Sequence, residues 1–325
     1  MKRFLILFGL ICAILVSCGR ESKKEQYVIK FAHLANEKNT WHRAAIKFKE
    51  LVEARSQNKI QVKLYPNSQL GNELDIINSI QLGSADMTIT GESLQNWAPS
   101  AALLAVPYAF DSSEQMRIAA DSDAAKRICK EITAKTGLIP IAWFERGPRY
   151  LTSNIPIKKL DDLKGIKIRV PNVPVFIKVW EELGAKPVPM AFGEVFTSLQ
   201  QSTIEAQENP VSLIESASFY EVQKYINLTA HVRSWIYVVI SEATLNKIPE
   251  ELKKIVLDAA LEMQEYENSL FKEEEMKILQ RLQNHGMVLI DSDQSEFSAK
   301  AKGAVISTLS EEQRSLLEKL KASNK

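Results

Sequence analysis

Short apolar strands alternate with helices between residues 161 and 210, and this alternation restricts the chain to an α/β fold. Ile166, Ile168 and Val170 alternate with two basic residues, which is the period of a half-buried strand, and Pro171 ends that strand because proline lacks an N–H. The elements predicted here are strand 166–170, helix 175–183, strand 186–189, helix 192–201 and strand 203–207. Asn209 and Pro210 would follow the last strand.

The N-terminal half has the same organisation. Apolar alternation predicts strands at 27–31, 59–65 and 86–90, and helical spacing predicts helices at about 41–52 and 72–82. Further along the chain we predict a helical region 112–135, strands 138–144, 232–240 and 287–290, and a long charged helix 249–284. Two such α/β units imply a two-lobed fold with a ligand cleft that closes by hinge bending.

Length and charge narrow the function. The 325 residues are 45% hydrophobic and 25% charged, which suits two globular domains. The formal net charge is +1; if a leader with Lys2 and Arg3 is removed, 39 basic residues remain against 40 acidic ones. No large positive charge is therefore available for nucleic acid, and an anionic ligand would have to be met by local positive charge.

The first 18 residues have the organisation of a bacterial lipoprotein signal. Lys2 and Arg3 precede an apolar run over residues 4–16, and Ser17 precedes Cys18. We predict a signal peptide at 1–17, lipidation of Cys18, and a charged tether over 18–26; the alternative is that Cys18 is incidental in an ordinary secretory leader. With Cys12 removed and Cys18 acylated, Cys129 has no partner for a disulfide.

Three side chains are candidate ligand contacts because of their places at strand ends. Arg169 lies at the carboxyl end of strand 166–170, where α/β folds bind ligands, and its planar guanidinium suits a carboxylate. Glu92 follows strand 86–90 and would accept hydrogen bonds from ligand hydroxyls or an amine, away from the carboxylate. His33 ends the first strand and would face the cleft. The alternatives are an ordinary surface or salt-bridge role for Arg169, an N-cap or solvent role for Glu92, and a structural role for His33.

Several segments together resemble one known family. DLKGIKIRVP, GAKPVPMAFGEVFTSLQQ and QENP are similar to the substrate-binding proteins of TRAP transporters, the tripartite ATP-independent periplasmic carriers for organic acids. LYPNSQLGNE, GSADMTIT, VPYAF, RGPRYLTSN and FYEVQKYINLTAHV extend the resemblance, in order, over most of the mature chain. The resemblance implies a periplasmic-binding-protein-like fold with a long C-terminal helix that spans both lobes.

The resemblance also implies further site residues. Arg149, at the first crossing between lobes, matches a ligand-contacting arginine of acidic-sugar binders; a hinge-bracing salt bridge is the alternative. Asn209 matches an asparagine that binds the ligand carboxylate, unless it only ends its strand. Phe192 matches a phenylalanine that packs on the ligand's carbon skeleton, unless it belongs to the core. The expected division is 27–148 mainly in lobe I, 149–210 mainly in lobe II, and 211–325 shared.

The expected function is capture of an organic acid, with a sugar acid favoured and a C4-dicarboxylate or keto acid still open. Delivery would be to the small and large membrane subunits of a TRAP carrier, with an ion gradient supplying the energy. A lipid-anchored sensor is one alternative. An isomerase or lyase is another, although the chain has no GxSxG, HExxH, P-loop or dinucleotide motif and no metal-like histidine spacing. No cofactor or metal is assigned.

Overall fold

The computed structural model describes residues 26–323. The predicted signal peptide, Cys18 and all of the tether except Gln26 lie outside the described residues. Within residues 26–323, no helix combines the length and the apolar composition that crossing a bilayer requires.

The described chain alternates strands and helices along most of its length. The strands are β1 (Tyr27–Ala32), β2 (Ile60–Tyr65), β3 (Met87–Thr90), β4 (Leu138–Glu145), β5 (Arg149–Ser153), β6 (Lys167–Val170), β7 (Lys186–Pro189), β8 (Ala206–Pro210), β9 (Tyr225–Val232), β10 (Trp235–Ser241) and β11 (Val288–Ile290). The α-helices are α1 (Thr40–Arg55), α2 (Glu73–Gln81), α3 (Ser113–Ala120), α4 (Asp123–Thr136), α5 (Pro174–Glu182), α6 (Val195–Gln200), α7 (Val211–Ser216), α8 (Glu242–Lys247), α9 (Glu250–Asn284), α10 (Gln294–Thr308) and α11 (Glu311–Ala322). Short 3₁₀ turns cover Glu92–Asn96, Pro99–Ala105, Leu160–Leu163, Phe192–Glu194 and Phe219–Glu221.

The strands form two separate sheets, one in each lobe. The first has the order β2-β1-β3-β10-β4, and the second has the order β11-β9-β5-β8-β6-β7. Strands β1, β2 and β3 are parallel, as are β6, β7 and β8, so each lobe contains a parallel β-α-β core. The chain passes from the first sheet to the second between β4 and β5, returns between β9 and β10, and enters the second sheet again at β11.

Helix α9 supports the first of these crossings. Its side chains cap the free edge of β4: Gln264 Oε1 accepts from the Trp143 N–H at 2.7 Å, and Asn268 Oδ1 accepts from the Glu145 N–H at 3.4 Å. Gly147 lies next in the chain, against α9, and its φ is +70°. A Cβ atom at this position would lie 2.9 Å from the Phe271 ring. Only glycine fits both the backbone angle and the space, so the crossing is held tightly against α9.

Several predicted boundaries differ from the structure. The region 112–135 is two helices, separated at Asp121 and Ser122, and the region 192–201 is a 3₁₀ turn followed by α6. The predicted strand 203–207 is wrong at both ends. Thr203 still belongs to the turn after α6, since its N–H and hydroxyl both donate to the Ser198 carbonyl at 3.0 and 2.9 Å.

The strand itself is β8, and it continues to Pro210 because it pairs antiparallel with β5. Asn209 therefore lies within the strand, opposite Tyr150, and does not follow it. The sequence prediction also missed β9 entirely. Apolar and polar residues do alternate over 226–232, and the polar Asn227, Thr229 and His231 are buried as well.

Candidate functional site

A cavity of about 400 Å³ lies between the two lobes. Both sheets and the crossing segment contribute to its wall, which is part apolar and part charged. The lining residues are Leu34, Trp41, Ser68, Asn72, Glu73, Leu74, Glu92, Ser93, Arg146, Arg149, Arg169, Pro171, Asn172, Pro189, Met190, Ala191, Phe192, Gly193, Asn209, Leu213 and Ile236.

Arg169 is buried at this cavity with one of its three guanidinium nitrogens unpaired among the described residues. Its Nε and Nη2 donate to the Met190 carbonyl at 3.1 and 2.8 Å, which orients the group, while Nη1 has no hydrogen-bond partner among the described residues. No carboxylate of residues 26–323 forms an ion pair with it. Burial lowers the pKa of Arg169 to about 10, with the charge of Arg149 acting in the same direction. The guanidinium is therefore a buried cation that an anion would stabilise.

Arg149 lines the same cavity but is already paired. Its Nη2 donates to Glu208 Oε1 at 2.7 Å and to the Glu208 carbonyl at 2.8 Å, and its Nε donates to Glu208 Oε2. Glu208 also accepts from His231 Nε2 at 2.8 Å. Although burial opposes ionisation, Arg149 and His231 together lower the pKa of Glu208 to about 2. Nη1 of Arg149 is buried without a partner, so one edge of the guanidinium keeps unused donors.

Asn209 and Phe192 lie beside these two arginines. The Asn209 Oδ1 accepts from Arg149 Nη2 at 3.1 Å, and its Nδ2 donates to Gln207 Oε1 at 2.6 Å, so the amide orientation is set by its neighbours. The ring centre of Phe192 is 6.0 Å from the Arg169 guanidinium carbon and 5.9 Å from the Phe219 ring centre. Phe192 thus borders the cavity and packs against the core as well.

The first lobe contributes carboxylates. Glu92, the first residue after β3 and Gly91, is 4% exposed and forms a buried ion pair with Arg146 Nη1. Burial opposes its ionisation, but Arg146 and Arg149 lower the pKa of Glu92. Glu73 opens helix α2, is half-buried, and accepts a hydrogen bond of 2.6 Å from the Thr90 hydroxyl. Burial, and next the charge of Glu92, raise the pKa of Glu73.

His33 is placed differently from expectation. It is 1% exposed, it is not among the residues lining the cavity, and its Nε2 lies 3.2 Å from His42 Nδ1. Burial and the neighbouring His42 lower its pKa to about 3, so the ring is neutral. The alternative weighed from the sequence, a structural histidine, is the arrangement found.

Five of the six side chains singled out from the sequence therefore line one cavity: Arg149, Arg169, Phe192 and Asn209 from the second lobe and Glu92 from the first. Sequence reasoning missed Glu73, Arg146 and Glu208. Arg146 and Glu208 lie in RGPRYLTSN and EAQENP, and Glu73 ends LYPNSQLGNE, so all three were within recognised segments. Their roles depend on contacts with residues distant in the sequence, which a local sequence pattern does not predict.

Comparison with known proteins agrees with this geometry. The fold and the interlobe cavity define a two-lobed binding protein. Residues 31–312 match the model for bacterial extracellular solute-binding protein, family 7, and the chain belongs to that family. It is similar to a solute-binding protein from Roseobacter denitrificans, with 49% identity over 98% of this chain and 99% of the relative. It is also similar to the 2,3-diketo-L-gulonate-binding periplasmic protein of Escherichia coli, with 33% identity over 92% and 91% of the two chains.

A crystal structure of a TRAP periplasmic solute-binding protein from Roseobacter denitrificans with bound L-galactonate has the same fold. The TM-score is 0.89 with 51% identity, over 91% of this chain and 99% of that chain. The resemblance to TRAP solute-binding proteins and the expected two-lobed α/β fold are thus confirmed.

Proposed function

We propose that this protein captures a sugar acid in the interlobe cavity and delivers it to the membrane subunits of a TRAP carrier. The observation that carries the proposal is Arg169: a buried guanidinium that faces the cavity with a free Nη1 and no counter-ion among the described residues. A ligand carboxylate would supply the missing negative charge through charge-assisted hydrogen bonds.

The remaining wall suits the rest of a sugar acid. Asn209 and the free Nη1 of Arg149 add donors on the second lobe, and Phe192 offers an apolar surface to the carbon chain. On the first lobe, Glu73 and Glu92 can accept hydrogen bonds from hydroxyl groups. L-Galactonate, which is bound to the similar Roseobacter denitrificans protein, has this combination of a carboxylate and hydroxyls.

Binding can be tested with protein that begins at Gly19, after unfolding and refolding to remove carried-over ligand. Isothermal titration calorimetry and thermal unfolding would compare aldonates, uronates, sialic acid, C4-dicarboxylates and 2-keto acids. A saturating ligand at about a hundred times its Kd stabilises the folded state by about 3 kcal/mol. We expect a sugar acid to raise the Tm and to be recovered unchanged, without turnover.

Arg169→Ala provides the critical variant, and Arg314→Ala, at an exposed position on α11, provides the matched control. Loss of the shift in the first variant and retention in the second supports the site. An equal shift in both variants, or none with any acid in the wild type, contradicts the proposal.

We further propose that the chain acts outside the cytoplasm, attached to a membrane by a lipid on Cys18. The charged signal, the apolar run and the small residue before Cys18 support this anchoring. Mass spectrometry of protein expressed with its full N-terminus would detect acylation of Cys18, and Cys18→Ala would release the protein from the membrane fraction. An unmodified Cys18 on a membrane-free protein would refute the anchor and leave the ligand site unaffected.

A further inference from the structure

The charges that line the cavity are arranged by lobe. Arg149 and Arg169 project from strands of the second sheet, whereas in the first lobe Glu73 begins helix α2 and Glu92 follows β3. A ligand held between the lobes therefore has a cationic wall on one side and an acidic wall on the other.

Most of these charges already have a partner. Arg149 pairs with Glu208, and Arg146 pairs with Glu92. Among the residues that line the cavity, this leaves Arg169 without an anionic partner and Glu73 without a cationic one in the part of the chain described. As formed by residues 26–323, the cavity thus presents one guanidinium and, on the opposite lobe, one carboxylate that take part in no ion pair.

Glu73 is held in place by polar neighbours without being neutralised. The Thr90 hydroxyl donates to its Oε1 at 2.6 Å, and the Ser93 side chain hydrogen-bonds to it as well. Two charged groups act on it from its own lobe and the crossing segment: Glu92 opposes its ionisation, and Arg146 favours it but is already bound to Glu92. The charges of Arg149 and Arg169 also reach it from the opposite wall, without an ion pair. A second carboxylate in front of Glu73 would meet repulsion from two acidic groups in a partly desolvated site.

We propose that Glu73 is a specificity-determining residue that restricts the site to acids with a single carboxylate. This inference rests on the proposed function and narrows its ligand class to hydroxylated monocarboxylates. The ligand carboxylate occupies Arg169, and the far end of the ligand donates hydroxyl hydrogens to Glu73. Diacids of the same length are rejected because their second carboxylate faces Glu73.

Three acids derived from galactose test this directly, because they share the same hydroxylated carbon chain. Galactonate and galacturonate each carry one carboxylate at opposite ends of the chain, and galactarate carries both. We expect wild-type protein to bind at least one of the monoacids about a hundredfold more tightly than galactarate, since like-charge contacts cost several kcal/mol.

Glu73→Gln keeps the shape of the side chain and the oxygen that accepts from Thr90. We expect it to reduce the preference by about tenfold or more, mainly through tighter binding of galactarate. Glu131→Gln is the matched control, since Glu131 also accepts a hydrogen bond from a hydroxyl, that of Ser100, but does not line this cavity. The control should keep the wild-type preference.

A measurement on wild-type protein covers the case in which Glu73→Gln fails to fold. Lowering the pH from about 8 to about 5.5 leaves galactarate ionised but favours protonation of Glu73, whose pKa is raised. The ratio between the Kd of galactarate and the Kd of the preferred monoacid should therefore decrease.

The outcomes separate the two proposals. Equal binding of mono- and diacid by the wild type overturns the role of Glu73 and leaves sugar-acid binding intact. If the preference for the monoacid is unchanged both in Glu73→Gln and at low pH, the role of Glu73 is likewise overturned and sugar-acid binding is unaffected. If none of the three acids binds but another sugar acid of the wider panel does, this inference is overturned and sugar-acid binding stands. If no acid of that panel binds, both proposals fall.

Discussion

Arg149 and Arg169 flank strand β8 in the same sheet and line the same cavity, yet their surroundings differ. Arg149 is bound by a buried carboxylate that also holds His231, whereas Arg169 is oriented by one backbone carbonyl and has no anionic partner among residues 26–323. The comparison separates two roles that a guanidinium can have in a cleft. The charge of Arg149 stabilises the pairing of neighbouring strands, and the charge of Arg169 is available to a ligand.

Removing the available charge should have the largest effect on binding. Arg169→Ala would leave a buried ligand carboxylate without its main partner, so we expect affinity for the preferred sugar acid to fall by about 3 kcal/mol or more, which is over a hundredfold. Titration calorimetry checks this. A Kd within threefold of the wild type would show that Arg169 is not the carboxylate partner.

Substitution of the two arginines should change the stability of the empty protein by different amounts. Arg149→Met strands Glu208 in the interior, and we expect the free energy of unfolding to fall by about 3 kcal/mol. Arg169→Met removes a buried charge without a counter-ion, so the change should be below about 1 kcal/mol. Urea unfolding without ligand measures both. Equal losses would mean that Arg169 is also a structural residue.

Acid should weaken the Arg149 region specifically. The pKa of Glu208 is lowered to about 2, below the ordinary value of 4.5, so its contribution is complete above pH 4.5 and is lost as the pH falls towards 2. Because 2.5 pKa units correspond to about 3 kcal/mol at most, about half of this should be lost near pH 3. Glu208→Gln should be less stable than the wild type at pH 7, and the gap should shrink at pH 3. A constant gap would contradict the lowered pKa.

The smallest expected effect concerns the apolar side of the Arg169 region. Phe192→Leu keeps a hydrophobic side chain but removes the ring near the guanidinium, and we expect a loss of about 1 kcal/mol in binding, or about fivefold. Calorimetry with the preferred acid measures the loss, and thermal unfolding monitors the packing on Phe219. A large drop in Tm with unchanged Kd would place Phe192 in the core alone.

Much of the fold follows from local patterns. Strand β6 and its end at Pro171, strand β7 and the long helix α9 were predicted to within about one residue, because alternation, proline and helical spacing act over a few neighbours. Strand β9 was missed although its apolar and polar residues alternate, and the burial of its polar Asn227 and His231 is not part of that local pattern. Asn227 is satisfied there by the Ile157 N–H, the Leu151 carbonyl and the Ser153 hydroxyl, all distant in sequence.

The site divides in the same way. The sequence by itself determined the two α/β units, the place of Arg169 at the end of a buried strand, and the segments that carry the family resemblance, because each depends on contiguous residues. Only the tertiary structure decided that Arg149 is paired with Glu208, that Arg146 neutralises Glu92, that Glu73 faces the cavity without a cation, and that His33 turns away. Those outcomes depend on which charges meet after folding: Glu92 and Arg146 are 54 residues apart in the sequence, and Arg149 and Glu208 are 59 apart. Because these groups are buried, and an unpaired charge away from water costs free energy, the pairing determines the role of each side chain.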